Sequence, residues 1–345
     1  MVTRRALVRA VGLTTLGLLA ACSPTTSPSG SQPATAAPAG TQASGGAAIA
    51  VGTDSGVLER VPPAVAVDQG FFSQLGVKPD IEALTDGSKV LAGVVANQLG
   101  LGESGINNVL AAIEKSPTVK ILGSTHLPVG YVVYANAHVG NLSDLEGKSI
   151  GTGAVGAFLY VLMFELLKKN GVDPGKVSFV NIGASPDVYR AVSSGKVDVG
   201  PSTVTFLSQA QKDGLKVLAN IWQELPDFVS IGVYASDDSI AKNREAIVRT
   251  LAAYARTYRF ILGNEQGKAA WIKGAQQFAQ DEASAAADWQ WLKDNKGLQT
   301  DLAITNAQLD YMQQVNIDTG SQSRMVPFEQ LADTSLVQDA LKLAQ

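Results

Sequence analysis

Asn97-Gln98-Leu99-Gly100-Leu101-Gly102-Glu103-Ser104 and Gly195-Lys196-Val197-Asp198-Val199-Gly200-Pro201-Ser202 share one layout. Each follows an amphipathic helical pattern, holds a short apolar strand and ends in Gly-x-Ser before another helix. Repetition of a strand and its exit loop predicts two lobes of like topology, each offering the same type of loop at a strand end. Around these stretches, short apolar runs alternate with helical patterns from Ala47 to about Tyr234. Strands are expected at 48–51, 77–83, 99–102, 119–122, 131–134, 149–152, 177–181, 197–200, 217–219 and 229–234. Helices are expected at 62–68, 88–97, 106–115, 155–170, 187–194 and 206–213. Such alternation argues for α/β architecture with largely parallel sheets and helices on their faces.

Val155–Asn170 is the clearest helix: Phe158, Leu159, Leu162, Met163, Leu166 and Leu167 make it apolar almost all round, so it should be buried. Lys168 and Lys169 suit its negative end, Asn170-Gly171 can supply a left-handed cap, and Pro174 stops continuation. From Ile240 onward the pattern is helical, with the longest helix near Glu245–Leu262. Trp271, Trp289 and Trp291 in this region read as core or interlobe packing.

In open parallel sheets, ligands sit beyond the carboxyl ends of strands, against helix N-termini whose N–H groups have no helical partner. Seven small, hydroxyl-rich loops occupy such places: 53–56, 85–88, 103–105, 124–126, 151–156, 183–185 and 201–203. Any one of them could be a helix cap; seven in order across two lobes predict a cleft. Gly151-Thr152-Gly153-Ala154-Val155-Gly156 nearly spells a dinucleotide fingerprint. The acid that should hold the ribose would have to be Asp173, which lies in an Asp-Pro turn, so the loop reads instead as a wall of a small-ligand cleft. Only two histidines exist. His138 falls on a surface connection, and His126 ends a strand where it could face the cleft. With no Cys–His pair, metal-ligand cluster or cofactor motif, neither catalysis nor a metal or cofactor is expected.

The chain is 46% hydrophobic and 17% charged, ordinary for a globular protein, and about 300 residues suggest two domains by length. Its formal charge is −4. Loss of Arg4, Arg5 and Arg9 leaves 24 basic against 31 acidic residues, or −7, with no basic run beyond Lys168-Lys169. Nucleic acid is therefore not an expected partner. Those arginines precede an apolar stretch, Ala10–Ala21, in the manner of an export signal too short to span a bilayer. Leu19-Ala20-Ala21-Cys22 resembles a bacterial lipobox, whose cysteine is lipidated and becomes the first mature residue. Cys22 is the sole cysteine, so no internal disulfide is possible. Thr3-Arg4-Arg5 also fits the start of a twin-arginine signal, which leaves the export route open between that and the general one. Ser23–Gly46 holds only Ser, Pro, Thr, Gly, Gln and Ala and reads as a flexible tether.

Several runs resemble one family. Pro63-Ala64-Val65-Ala66 with Gly70-Phe71-Phe72 is similar to the opening of periplasmic binding proteins for nitrate, sulfonates and taurine. Leu142-Ser143-Asp144-Leu145-Glu146-Gly147-Lys148-Ser149-Ile150-Gly151 is similar to their entrance to the second lobe. Asn170-Gly171-Val172-Asp173-Pro174-Gly175-Lys176-Val177 and Gly195–Gly200 resemble the turn and strand that follow. The resemblance implies a two-lobed periplasmic binding protein fold (type II) with two hinge-strand crossings, near 135–136 and 233–235, and a helical C-terminal segment. The expected organisation is a signal at 1–22, a tether at 23–46, lobe 1 at 47–135 plus 235–345, and lobe 2 at 136–234. It implies a monomer, lipid-anchored through Cys22 to the outer face of the cell membrane, that hands a small nitrate-, sulfonate- or taurine-type solute to an ABC permease. The implied contacts are Ser55, Gly56, Gly87, Ser88, Ser104, Thr125, His126, Thr152, Gly153, Ala154, Ser185, Ser202 and Thr203, with Trp222 and Glu224 on the hinge side.

The cleft loops carry Asp54, Asp86 and Glu103 and no Lys or Arg. An anion could still be held by amide dipoles and hydroxyls, but a neutral or nitrogen-rich solute, such as the pyrimidine-type precursors bound by similar proteins, or an aromatic compound, is an alternative. An enzyme on the same fold, similar to eukaryotic pyrimidine synthases, lacks its cysteine-rich iron motif here. A surface adhesion or sensor domain that closes on a ligand is a third reading.

Overall fold

The computed structural model describes residues 46–127 and 129–345. The expected signal, lipidated Cys22 and all but the last residue of the tether lie outside the described residues. The first part of the chain runs β1 (Ala47–Asp54), α1 (Val57–Asp68), α2 (Phe71–Gln74), β2 (Val77–Leu84), α3 (Gly87–Val95), β3 (Leu101–Gly105), α4 (Ile106–Lys115) and β4 (Val119–His126). The next part runs β5 (Tyr131–Ala135), β6 (Ser149–Thr152), α5 (Phe158–Lys169), β7 (Ser178–Asn181), α6 (Ser185–Ser193), β8 (Val199–Thr203), α7 (Leu207–Lys212), β9 (Lys216–Asn220) and α8 (Ile221–Glu224). Then come β10 (Ile231–Ser236), α9 (Asp237–Gly263), α10 (Glu265–Gln276), α11 (Glu282–Asp294), α12 (Asn306–Asp318), α13 (Phe328–Leu331) and α14 (Ser335–Leu343). All ten expected strands are present.

Two five-stranded sheets have the orders β2-β1-β3-β10-β4 and β7-β6-β8-β5-β9. Strands β1, β2 and β3 pair in parallel, as do β6, β7 and β8; β10 and β5 are the antiparallel members of their sheets. The sequence echo is a structural repeat. Asn97 and Gly195 both turn the chain in the left-handed region, at φ 55° and 73°, a conformation that asparagine and glycine tolerate. Gly102 pairs with Tyr234 of β10 as Gly200 pairs with Tyr134 of β5. A Cβ on Gly102 would come within 2.6 Å of the Tyr234 ring.

The crossings differ from the sequence expectation. Strand β5 belongs to the second sheet and β10 to the first, so the chain leaves the first sheet after β4 and returns to it between α8 and β10, not near 135–136 and 233–235. Both strands are buried along their whole length. An all-apolar strand reads identically at a hinge or at the centre of a sheet, and only its non-local hydrogen bonds decide which.

Asp198, the residue that stands opposite Gly100 in the echo, has a structural task. The backbone N–H and Oγ of Ser149 donate to its carboxylate at 2.8 and 2.6 Å, and His138 Nε2 lies 2.9 Å away. These contacts, the Ser149 hydroxyl first, hold the Asp198 carboxyl down at about 2. They tie the start of β6 to the start of β8.

The C-terminal helices stitch the two sheets together. Helix α9 is interrupted at Asn243 (φ −120°, ψ 17°), close to where the long helix was expected to begin. It packs on α1, α10 and α14. Helix α12 touches both α4 and α5: Asn316 Nδ2 donates to the Asn107 carbonyl at 2.8 Å, and the Tyr311 hydroxyl donates to Glu165 at 3.0 Å. Helix α11 packs against the turn at 204–206, and both apolar clusters draw side chains from both sheets. Trp271 and Trp289 are fully buried, with Nε1–H donated to the Ala285 and Ile261 carbonyls, as their expected packing role requires.

Candidate functional site

The carboxyl ends of strands from both sheets face one cleft of about 600 Å³. From the first sheet come Asp54, Ser55 and Gly56 after β1, Thr85–Ser88 after β2, and Gly105 with Asn108 after β3. From the second come Gly153, Ala154 and Ala157–Leu159 after β6, Asn181 and Gly183–Asp187 after β7, Thr203 after β8, and Tyr131 at the start of β5. Asn107 Nδ2 donates to the Gly156 carbonyl at 2.8 Å and closes one end between the two halves.

The structure brings eight of the expected contact residues into this lining: Ser55, Gly56, Gly87, Ser88, Gly153, Ala154, Ser185 and Thr203. The other seven lie outside it. Ser104 is buried, its Oγ 2.7 Å from the Tyr234 hydroxyl. Thr125 and His126 are buried against each other, Oγ1 to Nδ1 at 3.0 Å, with the Tyr258 ring beside the imidazole. Thr152 donates to the Gly153 carbonyl at 3.0 Å and Ser202 to the Ser185 carbonyl at 2.8 Å. Trp222 packs edge-on against Trp291 at 5.1 Å, where a Cβ on Gly130 of the first crossing would also meet Trp291. Glu224 sits at the end of α5, its carbonyl accepting from Lys169 Nζ. Alternation of side chains along a strand explains much of this: Thr203 opens into the cleft and Ser202 points beneath it.

The residues that sequence reasoning missed are Glu59, Asn108, Tyr131, Ala157, Phe158, Leu159, Asn181, Pro186 and Asp187. Glu59 had a signal. The helix was expected to start at Pro62, a favoured first position, yet α1 begins at Val57 with Pro62 and Pro63 inside it. That earlier start puts Glu59 in the first turn, at the cleft. Pro62 cannot donate to the Leu58 carbonyl, and the buried His126 ring lies near that oxygen.

Electrostatically the two walls differ. Helix α5 reaches the cleft with Ala157 as N-cap and no side-chain cap, so its first N–H groups are free to face it; at α6 Pro186 has no N–H and the Asp187 N–H donates to the Ala184 carbonyl at 2.9 Å, which leaves the Ser185 N–H. On the opposite wall the protein's own acids occupy the helix starts: Asp86 accepts from the Lys89 N–H at 3.1 Å, and Glu59 folds back on its own backbone N–H. Asp86 has Lys89 nearby, and Asp187 is paired with Arg190. Asp54 and Glu59 have no cation among the lining residues. Burial, then the charges of Glu59 and Asp86, pushes Asp54 up to about 8. Burial also lifts Glu59 to about 7, and lifts Glu103, close behind Asp54, to about 7. His126 moves the other way, down to about 4, because burial disfavours its charged form. Among the described residues no cluster of His, Cys, Asp and Glu is arranged to hold a metal ion, and no described helix is long and apolar enough to cross a membrane.

Residues 59–267 match the NMT1/THI5-like family. The chain belongs to that family. Solved structures similar to this NMT1/THI5-like protein include the nitrate-binding protein NrtA of Synechocystis PCC 6803, at 12% identity and a TM-score of 0.72, covering 86% of this chain and 89% of the other. The alkanesulfonate-binding protein SsuA of Xanthomonas axonopodis pv. citri, bound to MOPS, is similar at 16% identity and TM-score 0.66, covering 85% and 97%. The desulfurization enzyme DSZB is similar at 14% identity and TM-score 0.61, covering 86% and 99%. No curated protein matches the sequence. At such identities the likeness shows the fold: the NMT1/THI5-like protein has the α/β periplasmic binding protein fold expected from its sequence.

Proposed function

We propose that this chain is an exported solute-binding protein that closes on a small solute and presents it to an ABC-type permease, without chemistry of its own. The observation that carries this is the cleft itself: strand-end loops of both sheets line one cavity of a small molecule's size, and two chain crossings connect the sheets. Closure of lobes about such crossings is a hinge motion that few residues need to absorb. We take the lobes to follow the two sheets, with the C-terminal helices on the hinge side. Family membership and the import-binding neighbours support the reading. The enzyme among the neighbours is the reason to weigh catalysis, and the placement of both histidines argues against it: His126 is buried beneath the cleft and His138 is tied to Asp198.

Trp222 and Trp291 meet beside both crossings, so solute binding to the full-length chain in detergent should change tryptophan fluorescence and raise the melting temperature together. A panel of nitrate, alkanesulfonates, taurine, aminopyrimidines and aromatic amines and acids that moved neither signal would defeat the proposal. Anchoring rests on the lipobox-like sequence. Cys22→Ala is expected to move the protein from the detergent phase to the aqueous phase on Triton X-114 partitioning of expressing bacterial cells, and unchanged detergent-phase recovery would refute lipidation there.

A further inference from the structure

We propose that the solute carries a protonated nitrogen, held by Asp54 and Glu59, on a flat apolar body that lies against Tyr131 and Phe158. This deepens the solute-binding reading and rests on it. Glu59 is only 4% exposed, lines the cleft, and leaves Oε2 without a hydrogen-bond partner. A buried carboxylate oxygen that nothing in the protein satisfies is costly when charged, and a donor from a ligand removes that cost. Asp54 lies on the same wall. The groups that face these two acids are Glu103, Asp86 and the Tyr131, Tyr234 and Tyr258 hydroxyls, none of them cationic. The nearest arginine in the chain, Arg60, is turned away over the Phe278 ring at 3.8 Å.

Across the cavity, Tyr131 and Phe158 meet at 5.3 Å, edge to face, and Phe228 backs Phe158 at 6.0 Å. They give an apolar wall with polarisable ring edges and faces, suited to a planar body and to a cation near a ring face. The free amide groups at the start of α5, with the Ser185 N–H at the start of α6, can take an acceptor on the far end of the solute. A small inorganic anion would use those amides alone and would meet uncompensated carboxylates on the other side.

The test is calorimetric titration of the full-length chain in detergent with three probes of one shape: benzamidinium (cation), benzamide (neutral) and benzoate (anion). Benzamidinium should bind at least tenfold more tightly than either isostere at pH 8. Its affinity should fall toward pH 5, where the raised carboxyl groups are protonated and must release protons to accept it. Glu59→Gln with Asp54→Asn should cost benzamidinium at least tenfold and leave benzamide within about twofold. Equal or better binding of benzamide or benzoate, or a doubly substituted protein that keeps its benzamidinium affinity, overturns the proposal. If nitrate or methanesulfonate binds and benzamidinium does not, the proposal falls and the solute-binding reading stands. If none of the three probes binds, the proposal falls, and the solute-binding reading falls with it only when the whole solute panel above also leaves fluorescence and melting temperature unmoved.

Discussion

Glu59→Gln should leave the melting temperature of the ligand-free protein nearly unchanged at pH 4 and raise it at pH 8 by roughly 6 °C, taking about 2 °C per kcal/mol for a chain of this size. Burial raises the folded-state pKa of Glu59 from 4.5 to about 7. An acid that is harder to ionise when folded binds more protons in the native state than in the unfolded one between those two values. Stability therefore falls as pH rises through that window, and the deficit is complete above pH 7. A shift from 4.5 to about 7 corresponds to about 3 kcal/mol, which glutamine, with no charge to lose, does not suffer. At pH 4 the carboxyl is mostly protonated in the folded and the unfolded state alike, so the substitution changes little.

The wild-type profile is a sum of opposed parts. Asp54, Glu103 and Asp288, all with raised carboxyls, act in the same direction as Glu59. His126, lowered to about 4, acts against them: its stabilising neutrality is lost as pH falls below 6.5. Above about pH 7 the raised carboxyl groups outweigh what remains of the His126 contribution, so the ligand-free protein should lose stability there, and the difference between variant and wild type isolates Glu59. A melting temperature equal to wild type at pH 8, or lower, would show that the carboxylate is already satisfied, and the electrostatic account of the cleft would have to be given up.

Trp271→Ala should cost about 3–5 kcal/mol, seen as a fall in the urea midpoint at constant slope. The indole is fully buried where α10 packs on α1, α9 and α11, and its Nε1–H donates to the Ala285 carbonyl at 3.0 Å. Alanine would leave a void and would take from the Ala285 carbonyl, inside α11, the second donor it has besides its helical partner. Gly274, on the same helix, lies so near Val61 and Val65 that the helices have little room to collapse into the gap. Trp271 lies outside the cleft lining, so affinity measured well below the new melting temperature should be unchanged. A loss under 1 kcal/mol would mean that the helices repack, and that the C-terminal layer is softer than its burial indicates.

Much of this molecule was legible in its residues. Strand and helix positions follow from local apolar periodicity, and the repeat at 97–104 and 195–202 announced two sheets of one topology because the same backbone turn, left-handed at Asn97 and Gly195, precedes the same buried strand. The strand-end rule placed Ser55, Gly87, Gly153 and Ser185 at the cleft, since helix starts with small residues cluster at the carboxyl edge of parallel sheets. Side-chain direction was not legible. Ser202 and Thr203 are neighbours of like chemistry, one beneath the floor and one in the cavity, and the choice is made by pairing with β5.

Sequence by itself therefore determined the α/β class, the order of its ten strands and the loops that could form a site. Tertiary structure alone decided which sheet receives β5 and β10, that the start of α1 carries Glu59 into the cavity, and that Thr125 and His126 are sealed below it. The physical reason is range. Periodicity and capping are set by residues within a few positions of one another, whereas register, facing and desolvation depend on hydrogen bonds and packing between segments far apart in the chain, 130 residues for Ser104 and Tyr234 and 209 for Asn107 and Asn316.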